Sequence, residues 1–159
     1  MTQEALVSVL VVSKNEGHYL RQTIDHMNSS KCQAAYEIIV VDDDSVDNST
    51  RFLAGETYQH IKLVHTPSLG PAKARNQAAR LATGQYFVFT DAHIIPPKHW
   101  LDDFCLRFED TEVHSIVPVL GSFNPARADI YGVLLDRNLQ PFWTERRIEH
   151  FSPVPFGSA

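Results

Sequence analysis

The chain has 159 residues and a net charge of −5, and its 43% hydrophobic and 21% charged residues are typical of one globular domain with a sizeable core. The negative charge excludes a general nucleic-acid surface, and no apolar run approaches the roughly eighteen residues that a membrane span needs. Two distant cysteines, Cys32 and Cys105, and a start unlike a signal peptide indicate a reducing, cytoplasmic setting, with a single disulfide as the open alternative.

Short apolar runs alternate with helical patterns along most of the chain. The run 7–12 is β-branched and of strand length, which predicts a buried central strand. Leu20, Ile24 and Met27 follow at spacings of four and three, which predicts a helix with one buried stripe. The same reasoning predicts strands at 36–41, 61–65, 86–89 and 113–119, a short helix at 51–59, and longer helices that begin at Gly70-Pro71 and after Pro97.

The helix that begins at Gly70-Pro71 has the clearest boundaries. Proline fits the first helical turn because it has no amide to leave unpaired there. Gly84 is predicted to close this helix as a C-cap. Its buried face is assigned to Ala74, Ala78, Leu81 and Ala82.

The elements predicted after Gly84 differ in their expected burial and position in the sheet. The strand 86–89 is apolar throughout and should be buried on both faces, whereas Pro118 places the strand 113–119 near a sheet edge. The segment 123–150 has apolar residues without a clean period and receives no assignment. The residues expected to face inward from the helix after Pro97 are Trp100, Leu101, Phe104, Cys105 and Phe108.

The alternation of strands and helices implies an α/β fold with a mainly parallel sheet and right-handed crossovers. In such sheets, ligands bind beyond the carboxyl ends of the strands. The polar clusters of this chain fall at those ends, at 13–16, at 42–47, and at Asp91 with His93. We therefore predict a binding cleft at this edge of the sheet.

Two of these clusters contain acidic groups with more than one interpretation. Four of the six residues at 42–47 are aspartates, which repel one another unless a cation, donors or solvent offset the charge. They form either a solvated turn or a site in which a carboxylate accepts from an imide N–H such as uracil N3. Asp91 and His93 leave an extended backbone on the same side and could share a divalent cation, or Asp91 could instead cap a helix beside a solvated His93.

Two cations lie near the start of the helix at 71. Lys73 and Arg75 occupy its first turns, where the helix dipole disfavours positive charge. Both side chains either point into solvent or bind an anion such as a diphosphate, which helix N-termini also attract. The guanidinium of Arg75 matches phosphate oxygens best.

Four blocks of sequence occur in a defined order: VSVLVVSKNE at 7–16, IIVVDDDSVDNST at 38–50, GPAKARN at 70–76 and TDAH at 90–93. This ordered set resembles family 2 glycosyltransferases of the GT-A fold. The resemblance implies a GT-A (Rossmann-like), mainly parallel sheet flanked by helices, and a nucleotide-sugar donor, usually a UDP-sugar. It also implies a Mn²⁺ or Mg²⁺ ion that bridges the donor phosphates.

The resemblance assigns roles to individual residues. Asp-Ala-His at 91–93 is similar to the Asp-x-His metal motif of polypeptide N-acetylgalactosaminyltransferases, and an imidazole ligand favours manganese. Two positions depart from the family pattern: Lys14 stands where an aromatic ring often stacks on the base, and Asp44 replaces a glycine, although aspartate tolerates the left-handed conformation. The implied roles are Ser13 and Glu16 in the nucleoside pocket, Asp43 on the uracil imide, Lys73 and Arg75 at the base and diphosphate, and Asp91 and His93 on the metal.

The resemblance also implies a longer chain. We expect a single GT-A domain over 1–159, with 1–120 as the nucleotide-sugar-binding half and 121–159 as the start of an acceptor half that is truncated. Any catalytic base is then expected beyond Ala159, with weak UDP binding and poor or no transfer to an unknown acceptor (saccharide, lipid or protein). We expect a tendency to homodimers through apolar side chains left uncovered: Phe142, Trp143, Val154 and Phe156.

Two rival functions remain open. A binding module would keep the donor site without turnover. A sugar-nucleotidyltransferase shares the architecture, but it usually has a Gly-rich loop with Arg and Lys after its first strand, which 13–17 does not resemble. The chain also has no Gly-x-Gly-x-x-Gly, Gly-Lys-Ser/Thr or Gly-x-Ser-x-Gly motif, which argues against dinucleotide, P-loop and hydrolase functions.

Overall fold

A computed structural model describes residues 7–110, 112–118 and 121, and the backbone of residues 132–135 and 141–144. The chain divides into two compact units, Met1–Arg107 and Phe108–Ala159. Within the described ranges, no helix is both long and apolar enough to cross a membrane.

The first unit contains a four-stranded sheet in which all neighbouring strands are parallel. Its strands are β1 (Val7–Ser13), β2 (Tyr36–Asp42), β3 (Ile61–His65) and β4 (Tyr86–Asp91), in the order β3-β2-β1-β4. Every residue of β1 except Val12 is buried, as expected for a β-branched strand that is covered on both faces. The mainly parallel α/β sheet and these four predicted strands are therefore confirmed.

Two helices cover one face of this sheet, α1 (His18–Ser29) and α3 (Trp100–Arg107). Their apolar stripes bury against the alternate residues of β1 that point to this face. The predicted inward residues of α3 are confirmed as buried at Trp100 and Leu101 and half-buried at Phe104 and Cys105, while the half-buried Phe108 lies beyond the end of the helix. Buried members of this cluster include Val9, Val11, Leu20, Ile24, Met27, Trp100 and Leu101.

The helix α2 (Pro71–Leu81) covers the opposite face. Ala74 and Ala78 are fully buried and pack in one cluster with Leu10 of β1. Leu81 and Ala82 are half-buried and pack against the same cluster. The predicted apolar face of α2 is thus confirmed, and it fixes the direction in which the first turn of this helix points.

The strand register brings the carboxyl ends of the strands to one edge. Ser13 of β1 pairs with Asp42 of β2, and Asp42 pairs in turn with His65 of β3. On the other side of β1, Val12 pairs with Asp91 of β4. We call this edge, with the segments 13–17, 42–47, 65–75 and 91–94, the carboxyl edge.

A buried carboxylate holds the connection between β3 and α2 at the carboxyl edge. Asp43 is 2% exposed, and its Oδ1 accepts hydrogen bonds from Thr66 Oγ1 and from the Leu69 amide, both at 2.6 Å. Its Oδ2 accepts from the Gly70 amide at 2.8 Å. Burial by itself would raise the pKa of Asp43, but these hydrogen bonds and the nearby Lys14 charge outweigh burial and lower the pKa. The carboxylate therefore stays charged and fixes the start of α2.

Gly84 does not close α2 as predicted. The helix ends at Leu81, and Ala82 already has an extended backbone, with φ −71° and ψ 141°. Gly84 is instead required for close packing, because a Cβ there would lie 2.7 Å from Ser8 N and 2.8 Å from Ser8 Oγ. Its amide donates to Ser8 Oγ at 2.9 Å, so the glycine holds the start of β4 against β1.

Strand β4 is not buried on both faces as predicted. Phe87 and Phe89 are 44% and 51% exposed and pack against each other, with ring centroids 6.5 Å apart. The physical reason is position, because β4 is the last strand in the order of the described four-stranded sheet. A uniformly apolar run does not reveal which face the rest of the fold will cover.

Two other predictions on local structure need correction, and one unassigned segment contains strands. Residues 113–118 form no strand, because no described strand pairs with them and Pro118 has no amide to donate. The predicted short helix at 51–59 is two 3₁₀ turns, Arg51–Ala54 and Glu56–Tyr58, which are separated by Gly55. In the second unit, β5 (Gly132–Leu135) and β6 (Pro141–Thr144) form an antiparallel pair that the sequence pattern did not indicate.

The remaining predictions on packing concern cysteines and uncovered apolar residues. Cys32 and Cys105 are half-buried free thiols, and burial raises the pKa of each, so the disulfide alternative is not supported. The apolar side chains for which we expect homodimer contacts lie outside the described residues.

We predict that Gly84→Ala lowers the free energy of unfolding by about 1–3 kcal/mol, because the new methyl group meets backbone atoms that cannot move independently. Urea denaturation followed by circular dichroism measures this change. Gly55→Ala is the control, since its nearest contact would be Phe52 O at 3.3 Å and its φ of −74° suits alanine. Equal stability of both variants and the parent chain would contradict the close approach of Gly84.

We also predict that Asp43→Asn destabilises the chain by about 1–3 kcal/mol at pH 7, because an amide NH₂ group would face backbone N–H donors. The folded-state pKa of Asp43 is lowered, so its stabilisation is complete above the ordinary Asp pKa of about 4 and is lost as the pH falls through the folded-state value. The difference between variant and parent should therefore narrow below about pH 4.

Asp44→Asn is the matched control for this experiment. Asp44 is exposed and has φ 69°, a left-handed conformation that asparagine also adopts readily. Denaturant melts at several pH values should show little change for this variant. A pH-independent difference for Asp43→Asn would contradict the role of its charge.

Candidate functional site

The loops after β1 and β2 are joined by hydrogen bonds at the carboxyl edge. The Asn15 amide donates to Ser45 Oγ at 2.9 Å, and Asn15 Oδ1 accepts from the Val46 amide at 2.8 Å. The Gly17 amide donates to Asp47 Oδ2 at 2.8 Å. Asn15 and Gly17 have φ values of 55° and 56°, so both bends use the left-handed region. The two loops therefore form one continuous wall.

The first aspartate of the 42–47 segment supports this wall from inside. Asp42 is buried, and it accepts from the Ser45 amide and from Thr50 Oγ1, each at 3.0 Å. His65 Nδ1 lies 3.2 Å from Asp42 Oδ2. The solvated aspartate-rich turn is thus wrong for Asp42 and Asp43, which are buried and accept hydrogen bonds from the protein. It fits the exposed Asp44, while Asp47 is exposed but accepts from the Gly17 and Ser49 amides.

Two of the residues predicted to bind the nucleoside, Ser13 and Asp43, lie on or beside this wall. Ser13 is buried at the end of β1, and within the described part of the chain its Oγ has no hydrogen-bond partner. Asp43 follows Asp42, the residue of β2 that pairs with Ser13. Its Oδ2 accepts one described hydrogen bond, which leaves one lone pair on that oxygen. Lys14 Nζ donates to Ser68 Oγ, in the connection between β3 and α2, at 2.5 Å.

The first turns of α2 bring positive charge to the carboxyl edge. Gly70, with φ 84°, precedes the helix, so the free amides of the first turn point towards this edge. Lys73 is exposed. Arg75 is largely buried and its guanidinium lies 3.4 Å from Asp91 Oδ1, which links α2 to the end of β4. The structure therefore brings Arg75 to the predicted metal motif.

The two residues at the end of β4 differ in exposure, since the Asp91 side chain is 15% exposed. Asp91 ends the strand and the next helix begins at Trp100, so the alternative in which Asp91 caps a helix is wrong. His93 lies two residues further on with a side chain that is 55% exposed. Its Nδ1 lies 3.1 Å from Glu16 Oε2, so the structure brings Glu16 to His93.

The donor set at this position fits a divalent cation only in part. A carboxylate and an imidazole are ligands that suit Mn²⁺. Among the residues that the structure describes, no group of three or more His, Cys, Asp and Glu side chains could hold a metal ion. A cation between Asp91 and His93 would therefore need oxygen ligands from a bound molecule or from water.

Thr23 is a supporting residue that sequence reasoning did not find. It is buried on α1, and its Oγ1 lies 3.0 Å from Ala92 O and 2.9 Å from Ile94 O. The Ile94 amide donates back to Thr23 Oγ1 at 3.0 Å. This hydroxyl fixes the backbone on both sides of His93. Only its position on the buried stripe of α1, where a polar residue needs partners, gave a signal in the sequence.

The sequence matches a known protein family and several of its members. Residues 8–158 match the family model described as "Glycosyl transferase family 2". The "Uncharacterized glycosyltransferase YibD" of Escherichia coli K12 is 34% identical over 88 residues, which are 54% of this chain and 25% of YibD. The chain spans between 24% and 42% of the length of the curated relatives that it matches first.

Two solved structures have a similar fold. The crystal structure of Staphylococcus aureus TarS 1–349 in complex with UDP-GlcNAc has a TM-score of 0.67 and 24% identity, and the match covers 77% of this chain and 36% of that one. The mannosyltransferase PcManGT of Pyrobaculum calidifontis in complex with GDP-Man and Mn²⁺ has a TM-score of 0.57 and 24% identity, over 76% and 36% of the two chains. The expected GT-A fold is confirmed, and because the family model covers nearly all of the sequence, the chain belongs to glycosyltransferase family 2.

Proposed function

We propose that this chain binds the nucleotide-sugar donor of a metal-dependent glycosyltransferase, and that the donor is a UDP-sugar. The observation that carries the proposal is the contact between Arg75 and Asp91 at the carboxyl edge, with the exposed His93 two residues beyond Asp91. Two metal ligands beside a guanidinium are the groups that a metal-bound diphosphate requires. Membership of the family supports the transfer reaction as the activity of the whole protein.

Asp43 is the proposed reader of the base. A uracil N3–H could donate to the Asp43 oxygen that retains a lone pair, while a guanine ring presents a different pattern and size. Ser13 and Glu16 are proposed to line the pocket beside it.

Lys73 and Arg75 are the proposed partners of the diphosphate. They lie in the first turns of an 11-residue helix, where free amides and the dipole also favour an anion. The separation of 3.4 Å between Arg75 and Asp91 is long for a charge-assisted hydrogen bond. We propose that Arg75 contacts a phosphate oxygen when a diphosphate binds and that the Asp91 carboxylate then faces the cation.

Asp91 and His93 are the proposed metal ligands. Asp91 and His93 would hold a divalent cation together with a bound diphosphate, and such a cation would supply positive charge that stabilises the leaving phosphate. The PcManGT structure contains GDP-Man with Mn²⁺ and the TarS structure contains UDP-GlcNAc, so relatives of this fold support a nucleotide sugar and a metal while differing in the base.

Other parts of the proposal concern the whole protein. We propose that the acceptor site and a catalytic base are formed outside residues 1–120, which we assign to donor binding. A cytoplasmic location is supported by the two free thiols. The homodimer contact through the second unit stays a prediction.

We predict that the 159-residue chain binds UDP more tightly with Mn²⁺ than without it, and about tenfold or more tightly than GDP, because one charge-assisted hydrogen bond to uracil is at stake. Isothermal titration calorimetry measures each affinity. Asp91→Asn should reduce UDP affinity in Mn²⁺ to the metal-free value. Asp103→Asn, an exposed change on α3, is the control and should behave like the parent chain. Equal binding of UDP and GDP would reject the uracil assignment, and metal-independent binding would reject the metal site.

A further inference from the structure

We infer that Glu16 is a positioning residue for His93: its carboxylate holds the imidazole by Nδ1 and leaves Nε2 as the nitrogen that binds the metal. This inference rests on the proposed function, because it concerns the same metal site. It gives Glu16 a different role from the nucleoside pocket, where the family resemblance places it.

The direction of one hydrogen bond determines the tautomer of His93. His93 Nδ1 lies 3.1 Å from Glu16 Oε2, across 77 positions of sequence. An ionised carboxylate can only accept, so Nδ1 must carry the hydrogen. In a neutral ring the lone pair then lies on Nε2, which is the tautomer that a metal at Nε2 requires. Carboxylate–histidine–metal arrangements fix both the ring orientation and the basicity of the ligand in this way.

Both partners of this pair stand on backbone that is held in place. The Glu16 carbonyl accepts from the Tyr19 amide at 3.1 Å at the start of α1, and the following Gly17 amide donates to Asp47. On the other side, Thr23 holds the residues before and after His93. The contact therefore joins two anchored segments and is more specific than a pairing of two free surface side chains.

A direct role of Glu16 as a metal ligand fits the structure less well. Asp91, His93 and Glu16 do not form a group that could hold a metal ion, and the described part of the chain contains no such group elsewhere. Glu16 is 24% exposed and already contacts the ring of His93, which is 55% exposed. Glu16 thus lies on the Nδ1 side of the ring, away from a metal bound at Nε2.

The first test reads the tautomer of His93 without metal or nucleotide. In ¹⁵N NMR spectra of the imidazole rings at about pH 8, above the ordinary imidazole pKa, His93 should carry its proton on Nδ1. His26 is an internal reference, since its Nδ1 lies 2.7 Å from Gln22 O and must also donate. His93→Gln assigns the signal. Glu16→Gln should keep the Nδ1–H form because its amide oxygen still accepts, and Glu16→Ala should lose it.

The second test measures the effect on the metal. Titration of Mn²⁺ into the UDP-saturated chain should give a dissociation constant that is about 10–100-fold higher for Glu16→Ala, and a smaller increase for Glu16→Gln. Glu56→Ala, an exposed change on the second 3₁₀ turn, should leave Mn²⁺ affinity unchanged. Thermal melts of the three variants show that each remains folded under the conditions of the titration.

The outcomes separate the two proposals. If the parent chain binds no Mn²⁺ with UDP, the proposed function fails and takes the metal role of Glu16 with it. If the parent binds Mn²⁺ but Glu16→Ala binds it equally well, the inference alone is overturned. An Nε2–H tautomer in the parent chain, or an Nδ1–H tautomer that persists in Glu16→Ala, also overturns it.

Discussion

The parallel pairing of β1 with β2 and β4 is the constraint on which the rest of the structure depends. Parallel pairing forces all carboxyl ends to one edge, and the register then sets which residues meet there: Ser13 beside Asp42, and Val12 beside Asp91. A shift by one residue would turn the alternating side chains of β1 from one helix layer to the other. Packing of the core therefore fixes the register of β1, and this register determines which residues meet at the carboxyl edge.

Carboxylates are concentrated at the carboxyl edge, and most of them contact hydrogen-bond donors of the protein. Asp43 accepts backbone amides, Asp91 faces Arg75, and Glu16 faces His93. These three arrangements differ in how easily they change. Asp43 is buried and bonded on both oxygens, whereas the Arg75–Asp91 and Glu16–His93 contacts are partly exposed. We propose that a bound diphosphate replaces Asp91 beside Arg75, while Asp43 and the Glu16–His93 contact keep their partners.

Much of this fold follows from patterns that are local in sequence. The β-branched run of β1, the spacing of Leu20, Ile24 and Met27, and Pro71 each indicated their elements because strand and helix periods are local properties. The blocks at the strand ends indicated the family, and the structure brings Arg75 to Asp91 as one of their contacts.

The predictions that failed depended on tertiary position. Gly84 is a glycine because Ser8 lies beside it, 76 positions away, and the exposure of Phe87 depends on the place of β4 in the sheet. The Glu16–His93 pair joins residues that no periodic pattern relates, so the sequence alone assigned each of them a role but not a shared one. The antiparallel pair β5–β6 was missed because its apolar residues show no clean alternation.

The central claim is that a metal-bound nucleotide binds at the carboxyl edge of the four-stranded sheet. The most direct measurement is the paramagnetic broadening by Mn²⁺ of backbone amide signals in ¹⁵N NMR spectra of the UDP-bound chain, with Mg²⁺ as the diamagnetic reference. The amide signals of the carboxyl edge should broaden strongly. The amide signals at the opposite edge, about 15–20 Å from the carboxyl edge, should persist, namely those of Ser8, Glu37 and Thr83. Uniform broadening, or broadening centred on the opposite edge, would contradict the account.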